Sequence, residues 1–124
     1  MINYLLPVFV GGAIGASLRF LLLHFWANTF RSVFPMGTIL VNCIGCLCIG
    51  FFWAIIEKYN GPMWVKLLVI TGGLGGFTTF STYGLDIIVL LQKNELMRAA
   101  FYFILSNGLG LLCVYLGMKS LRLS

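Results

Sequence analysis

Four long apolar runs follow one another along the chain, separated by the short polar breaks "NTFRSVFP", "EKYNGP" and "QKNE". A helix needs about 20 apolar residues to cross the hydrocarbon core. Four stretches meet that length, at residues 4–27, 36–56, 63–91 and 97–118. Pro35 and Pro62 stand where the second and third helices would begin, a position where the missing N–H costs nothing. The pattern predicts an all-α integral membrane protein, a single transmembrane domain over residues 1–124. An even number of spans puts both termini on one side of the membrane.

Polar residues interrupt every run. Arg19 lies inside the first span, and Gly15, Gly12 and Gly11 precede it on the same helical face. Small residues there permit close approach of another helix, so Arg19 is expected to have a structural or vestibule role. The second span carries Thr38, Asn42 and Gly45 at helical spacing. An asparagine at mid-membrane must find partners for its amide, and its two N–H donors suit either another helix or an anion. The third span is the most unusual. Its "GGLGGFTTFST", Gly72 to Thr82, places glycines and hydroxyls where uniform apolarity is expected. The glycine run predicts unwinding at the centre of the span, with Thr78, Thr79, Ser81 and Thr82 lining the break and Phe80 and Tyr83 among them. Freed carbonyls there suit a cation, and the N–H ends of the following half-helix suit an anion. The fourth span offers Ser106, with Asn107 alongside on a packing face. Asp86 is expected to form an ion pair with Lys93 or with Arg19 of another helix.

Composition changes the picture only by reinforcing it. Of the residues, 60% are hydrophobic and 9% charged, against about a quarter charged in soluble domains. The start, "MINYLLPVFVGGAIG", lacks a basic segment and stays apolar too long for a cleaved leader. The net charge of +5 is spread over chain ends and loops, with no basic cluster to suggest nucleic acid. Lys58, Lys66, Lys119 and Arg122 lie on the side of the termini, against Arg31, Lys93 and Arg98 opposite. Orientation needs a clear excess of positive charge on one side. The near balance is compatible with insertion both ways, and also with a single topology set by a few lysines. Four cysteines lie in apolar stretches, and "CIGC" at Cys43 and Cys46 lacks a second pair or supporting histidines. They are expected to act as small hydrophobes.

The segments "GGAIGASLRF", "GTILVNCIGCLCIG" and "GGLGGFTTFSTYG" resemble the Fluc/CrcB family of fluoride channels, and the resemblance covers essentially the whole chain. It implies a fluoride-selective channel in the bacterial inner membrane, built as an antiparallel, dual-topology homodimer with two narrow pores. It also implies a central sodium ion held by main-chain carbonyls, here those of Gly75 and Thr78. The pathway residues it implies are Asn42, Phe80, position 83, Ser81 and Thr82, to which the polar pattern adds Thr38 and Ser106. This chain departs from the family pattern with Tyr83 in place of phenylalanine, and with Phe20 after the arginine. The Tyr83 hydroxyl is expected to pair with Asn42, with Thr38 or with the passing ion.

The rival reading is a small four-helix multidrug/proton antiporter. Such a protein needs a carboxylate within the membrane to exchange protons, and the first span has none. A noncatalytic scaffold subunit would leave the central hydroxyls without a purpose. No constellation of histidine, cysteine and carboxylates points to an enzyme.

Overall fold

A computed structural model describes residues 1–122. Among them are four helical spans and no strand: Ile2–Phe30, Met36–Lys58, Met63–Gln92 and Leu96–Ser120. Each is long and apolar enough to cross a membrane, so this is a multi-pass membrane protein. Helix is the only open-ended solution at that depth, because it satisfies the backbone within one segment. Most large apolar side chains point outward, including Phe9, Phe25, Ile104 and Leu111, as a lipid solvent allows.

The last two turns between spans are made by asparagines, whereas the first places Arg31 in the left-handed region at φ 35°. The second helix ends at Tyr59, and Asn60 takes the left-handed conformation at φ 49°. The N–H of Gly61 then reaches Ile56 O at 2.8 Å. The "QKNE" turn repeats this, with Asn94 at φ 58° and the Glu95 N–H on Leu90 O at 2.9 Å. Both are Schellman closures, in which an asparagine does the work usually given to glycine.

Two helix pairs organise the molecule. The first helix packs along the first half of the third span, and the second helix packs along the fourth. Both contacts are backbone against backbone. A β-carbon on Gly15 would collide with Gly73 O and lie 2.9 Å from Phe77 N. One on Gly76 would come within 2.8 Å of Gly12 O. Across the other pair, Gly50 abuts Val114 O and Gly117 abuts Leu47 O. Without a hydrophobic driving force between helices in lipid, such close approach supplies the van der Waals attraction that holds them.

This packing corrects one expectation. The run Gly72–Gly76 does not unwind. The chain runs helically from Met63 to Phe77, through wide π-type turns at Lys66–Leu74 and a last α-turn at Gly75–Phe77. The first helix lies on this run, where a β-carbon on Gly72 would come within 2.6 Å of Val8 O and one on Gly76 within 2.8 Å of Gly12 O. The span is nonetheless broken at its centre, one turn later: Thr78 (φ −79°, ψ 158°) and Thr79 (φ −145°, ψ 116°) are extended. A new helix then runs from Phe80 to Gln92.

Gly15→Ala should therefore destabilise the protein by about 1–3 kcal/mol through overpacking. Gly108→Ala, where a β-carbon meets nothing within 4 Å among the described residues, should be neutral or stabilising by about 0.5–1 kcal/mol. Thermal unfolding of both variants in detergent checks the pair; equal stability would contradict the packing account.

Candidate functional site: the break in the third span

Lipid cannot satisfy the backbone of two extended residues at mid-membrane, and the N–H and carbonyl of Thr78 and of Thr79 each find a named partner. The Thr78 N–H and its Oγ1 both donate to Leu74 O, each at 3.0 Å. Thr78 O accepts from Arg19 Nη1 at 3.1 Å. The Thr79 N–H donates to Asn42 Oδ1 at 2.8 Å, and Asn42 Nδ2 donates back to Thr79 O at 3.0 Å. Because one contact needs an acceptor and the other a donor, the amide orientation is fixed. Thr79 Oγ1 then caps the second half-helix by accepting from the Thr82 N–H at 3.2 Å, and donates to Thr82 Oγ1 at 3.1 Å. Threonine is among the residues that such a cap favours.

The arrangement has a consequence for Gly75. In a continuous helix its carbonyl would receive the Thr79 N–H. Asn42 takes that N–H instead, so the Gly75 carbonyl loses its helical donor, in an exposed position.

Beside the break lies a groove of about 410 Å³. Its polar lining comes from Asn42, Thr78, Thr79, Tyr83, Ser106 and Asn107, with Phe80 at its edge and no charged side chain among the lining residues. Phe80 is 83% exposed, whereas Tyr83 is 7% exposed, and their ring centroids are 5.5 Å apart. Ser106 Oγ is buried without a hydrogen-bond partner among the described residues. One of the two Asn42 N–H groups is engaged by Thr79; the other remains for the groove.

The groove thus gathers Asn42, Thr78, Phe80, Tyr83 and Ser106, while three other expected pathway residues lie outside its lining. Ser81 is exposed, 3.4 Å from Thr79 Oγ1. Thr82 serves the cap. Thr38 is buried beside the Tyr102 hydroxyl. That hydroxyl donates to Asp86 Oδ2 at 3.0 Å, so Asp86 is held by a phenol and not by Lys93 or Arg19. The Tyr83 hydroxyl oxygen pairs with neither Asn42 nor Thr38: it accepts from Asn107 Nδ2 at 2.7 Å. The sequence gives little notice of Tyr102 and Asn107, since a tyrosine or asparagine in an apolar helix shows no periodic signature. Asn107 is at least a polar residue at membrane depth that requires a partner.

Among the described residues, the four cysteines are unbridged, Cys43 lying beside Cys113. No three His, Cys, Asp or Glu side chains among the described residues converge as metal ligands.

Comparison with known proteins agrees with this architecture. The family model described as CrcB-like protein, camphor resistance (CrcB), matches residues 6–118. A relative from Rhizobium etli named fluoride-specific ion channel FluC is 42% identical over 123 residues, covering 98% of each chain. Relatives of the same name come from Aquifex aeolicus, 42% identical over 89% of this chain and 90% of its own, and Helicobacter pylori, 44% identical over 87% and 85%. With the match spanning all four helices and the interrupted third span, the chain belongs to the CrcB-like family.

Proposed function

We propose that the protein is a fluoride-selective channel that lets the anion leave the cytoplasm down its electrochemical gradient. The observation that carries this reading is the groove at the break, a concentration of neutral hydrogen-bonding groups at membrane depth with no full charge among them. The names of its curated relatives support the choice of ion. Fluoride is small and strongly hydrated, so a pore must replace its water with several donors. The free Asn42 N–H, the Ser106 hydroxyl and the positive edges of the Phe80 and Tyr83 rings are such donors. The first N–H groups of the half-helix starting at Phe80 add a favourable dipole. None of these would trap the ion as a fixed cation would.

The biological logic is a leak that needs no pump. Hydrogen fluoride enters a cell as a neutral molecule, dissociates inside, and leaves through the channel as the anion. On this reading the protein acts in a bacterial inner membrane, as a channel and not an enzyme. A proton-coupled antiporter lacks support, because Asp86 lies outside the groove and is tied to Tyr102.

A second, inverted copy completes the site. The exposure of Phe80 and of Gly75 leaves an aromatic ring and an unpaired carbonyl open on a single chain, and the near balance of loop charges permits insertion both ways. Main-chain carbonyls are the hard oxygen ligands that sodium takes. Gly75 O has lost its helical donor, and Thr78 O retains a second lone pair beside Arg19. These two groups fit a structural sodium ion shared with the partner copy. Bound there, sodium would supply a fixed positive charge between the chains.

Three outcomes test this reading. Purified protein in liposomes should release fluoride rapidly and chloride negligibly, followed by ion electrodes. Phe80→Ile and Tyr83→Ile, which remove ring edges, should each cut fluoride flux severely while cross-linking still detects the dimer. Wild-type flux in either variant would remove that ring from the pathway.

Asn42→Ala should be worse than a loss of one contact. It orphans both the N–H and the carbonyl of Thr79, each costing about 1–3 kcal/mol when buried. Flux should be lost together with thermal stability, measured on the same preparation. Full stability in this variant would show that the break does not depend on Asn42.

Reporters fused to the C-terminus should reveal both orientations in cells. Two lysines added to the "EKYNGP" loop should bias insertion and lower function. A single native orientation with full conduction would overturn the inverted pairing.

A further inference from the structure

The hydrogen bonds around Tyr83 leave one proton unaccounted for. Asn107 Nδ2 donates to Phe103 O at 2.8 Å and to the Tyr83 hydroxyl oxygen at 2.7 Å. Phe103 O can only accept, so nitrogen must be the atom that faces it. Both N–H groups of Asn107 are then spent. The Tyr83 oxygen is therefore an acceptor in this pair, and its own O–H must be given elsewhere. Among the described residues no acceptor takes it. Tyr83 is 7% exposed, and both it and Asn107 line the groove at the break. A phenolic proton held at membrane depth without an acceptor is costly, and an anion in the groove removes that cost.

We infer that the Tyr83 hydroxyl donates its proton to the fluoride ion in the groove, and that Asn107 is the positioning residue that turns it there. The inference rests on the fluoride-channel reading above and deepens it. The ring of Tyr83 offers the anion a weak positive edge. The hydroxyl adds a stronger and directional donor, which a phenylalanine at this position does not have. Asn107 contributes no N–H of its own to the ion. It acts only through Tyr83, by occupying the lone pair of the oxygen and so directing the proton away from the fourth helix.

The two residues must therefore act as one unit, which a double-mutant cycle detects. Fluoride efflux from liposomes is measured over a series of internal fluoride concentrations for wild type, Tyr83→Phe, Asn107→Ala and the double variant. Tyr83→Phe keeps the ring and should raise the half-saturating fluoride concentration about five-fold, as expected for one lost hydrogen bond among several that remain. Its maximal flux should change by no more than about two-fold. Asn107→Ala should raise half-saturation in the wild-type background and have no further effect beside Tyr83→Phe. An unchanged half-saturation in Tyr83→Phe, or equal effects of Asn107→Ala in both backgrounds, overturns the inference while leaving the channel reading intact. A wild-type protein that releases no fluoride overturns both.

A second measurement does not depend on the Asn107 variant assembling. With 3-fluorotyrosine placed at position 83 of the otherwise native protein, its ¹⁹F resonance should shift on titration with sodium fluoride and stay fixed with sodium chloride. A resonance indifferent to fluoride shows that the hydroxyl does not meet the ion.

Discussion

The two-point pairing of the Asn42 amide with Thr79 is the interaction on which the centre of this protein depends. An interrupted helix at mid-membrane is unaffordable unless each released backbone group is met by protein or water. One amide side chain meets both the N–H and the carbonyl of the same extended residue, at 2.8 and 3.0 Å. In doing so it imitates the neighbouring strand that an extended residue would have in a sheet. The second helix thereby holds the third span open. Removing the Thr79 N–H from its helical acceptor is also what strips the Gly75 carbonyl of its donor. One contact thus both stabilises the break and creates its chemistry.

The glycine packing makes that contact geometrically possible. Gly11 and Gly15 bring the first helix against the backbone of the third span, which places Arg19 one turn on, within 3.1 Å of Thr78 O. Gly45 makes room for the Thr78 methyl group, since a β-carbon there would collide with Thr78 Cγ2. Arg19 approaches the break from the first helix and Asn42 from the second. A guanidinium at this depth would be expensive facing lipid; directed at a released carbonyl it meets a charge-assisted acceptor instead. The break is therefore supported on both sides by helices whose own spacing is set by residues without side chains.

What remains around the break is a set of neutral groups with unequal duties. Thr78 and Thr79 spend their hydroxyl protons on Leu74 O and on Thr82 Oγ1, which accepts. Asn42 spends one N–H on Thr79, and Asn107 spends both of its own. Among the described residues no acceptor takes the other Asn42 N–H, the Ser106 hydroxyl, or the Tyr83 and Thr82 hydroxyl protons, so the neutral donors left at the break are few. A site built from such groups can replace a hydration shell in part while leaving the ion free to move on. Asp86 is kept apart from it by Tyr102 and Thr38, so the one carboxylate near the end of this span does not line the groove.

The amino-acid sequence by itself determined the number and nature of the spans, because the length of an apolar run follows directly from the thickness of hydrocarbon it must cross. It also singled out Asn42, Arg19 and the threonines, since a polar group at that depth requires a partner wherever it goes. It could not say which partner. The glycine run looked like a place to unwind, because glycine weakens a helix in isolation. The tertiary structure decided otherwise: a helix lying on those glycines keeps them helical, and the break falls at Thr78–Thr79, where Asn42 and Arg19 arrive to receive the freed groups. The partners of Asp86 and Tyr83 were decided in the same way, by the fourth helix. Tyr102 and Asn107 come from residues 16 and 24 positions later in the chain. Hydropathy fixes which segments enter the membrane, but hydrogen-bond partners across helices depend on rotation and depth, and those are set only when backbones meet.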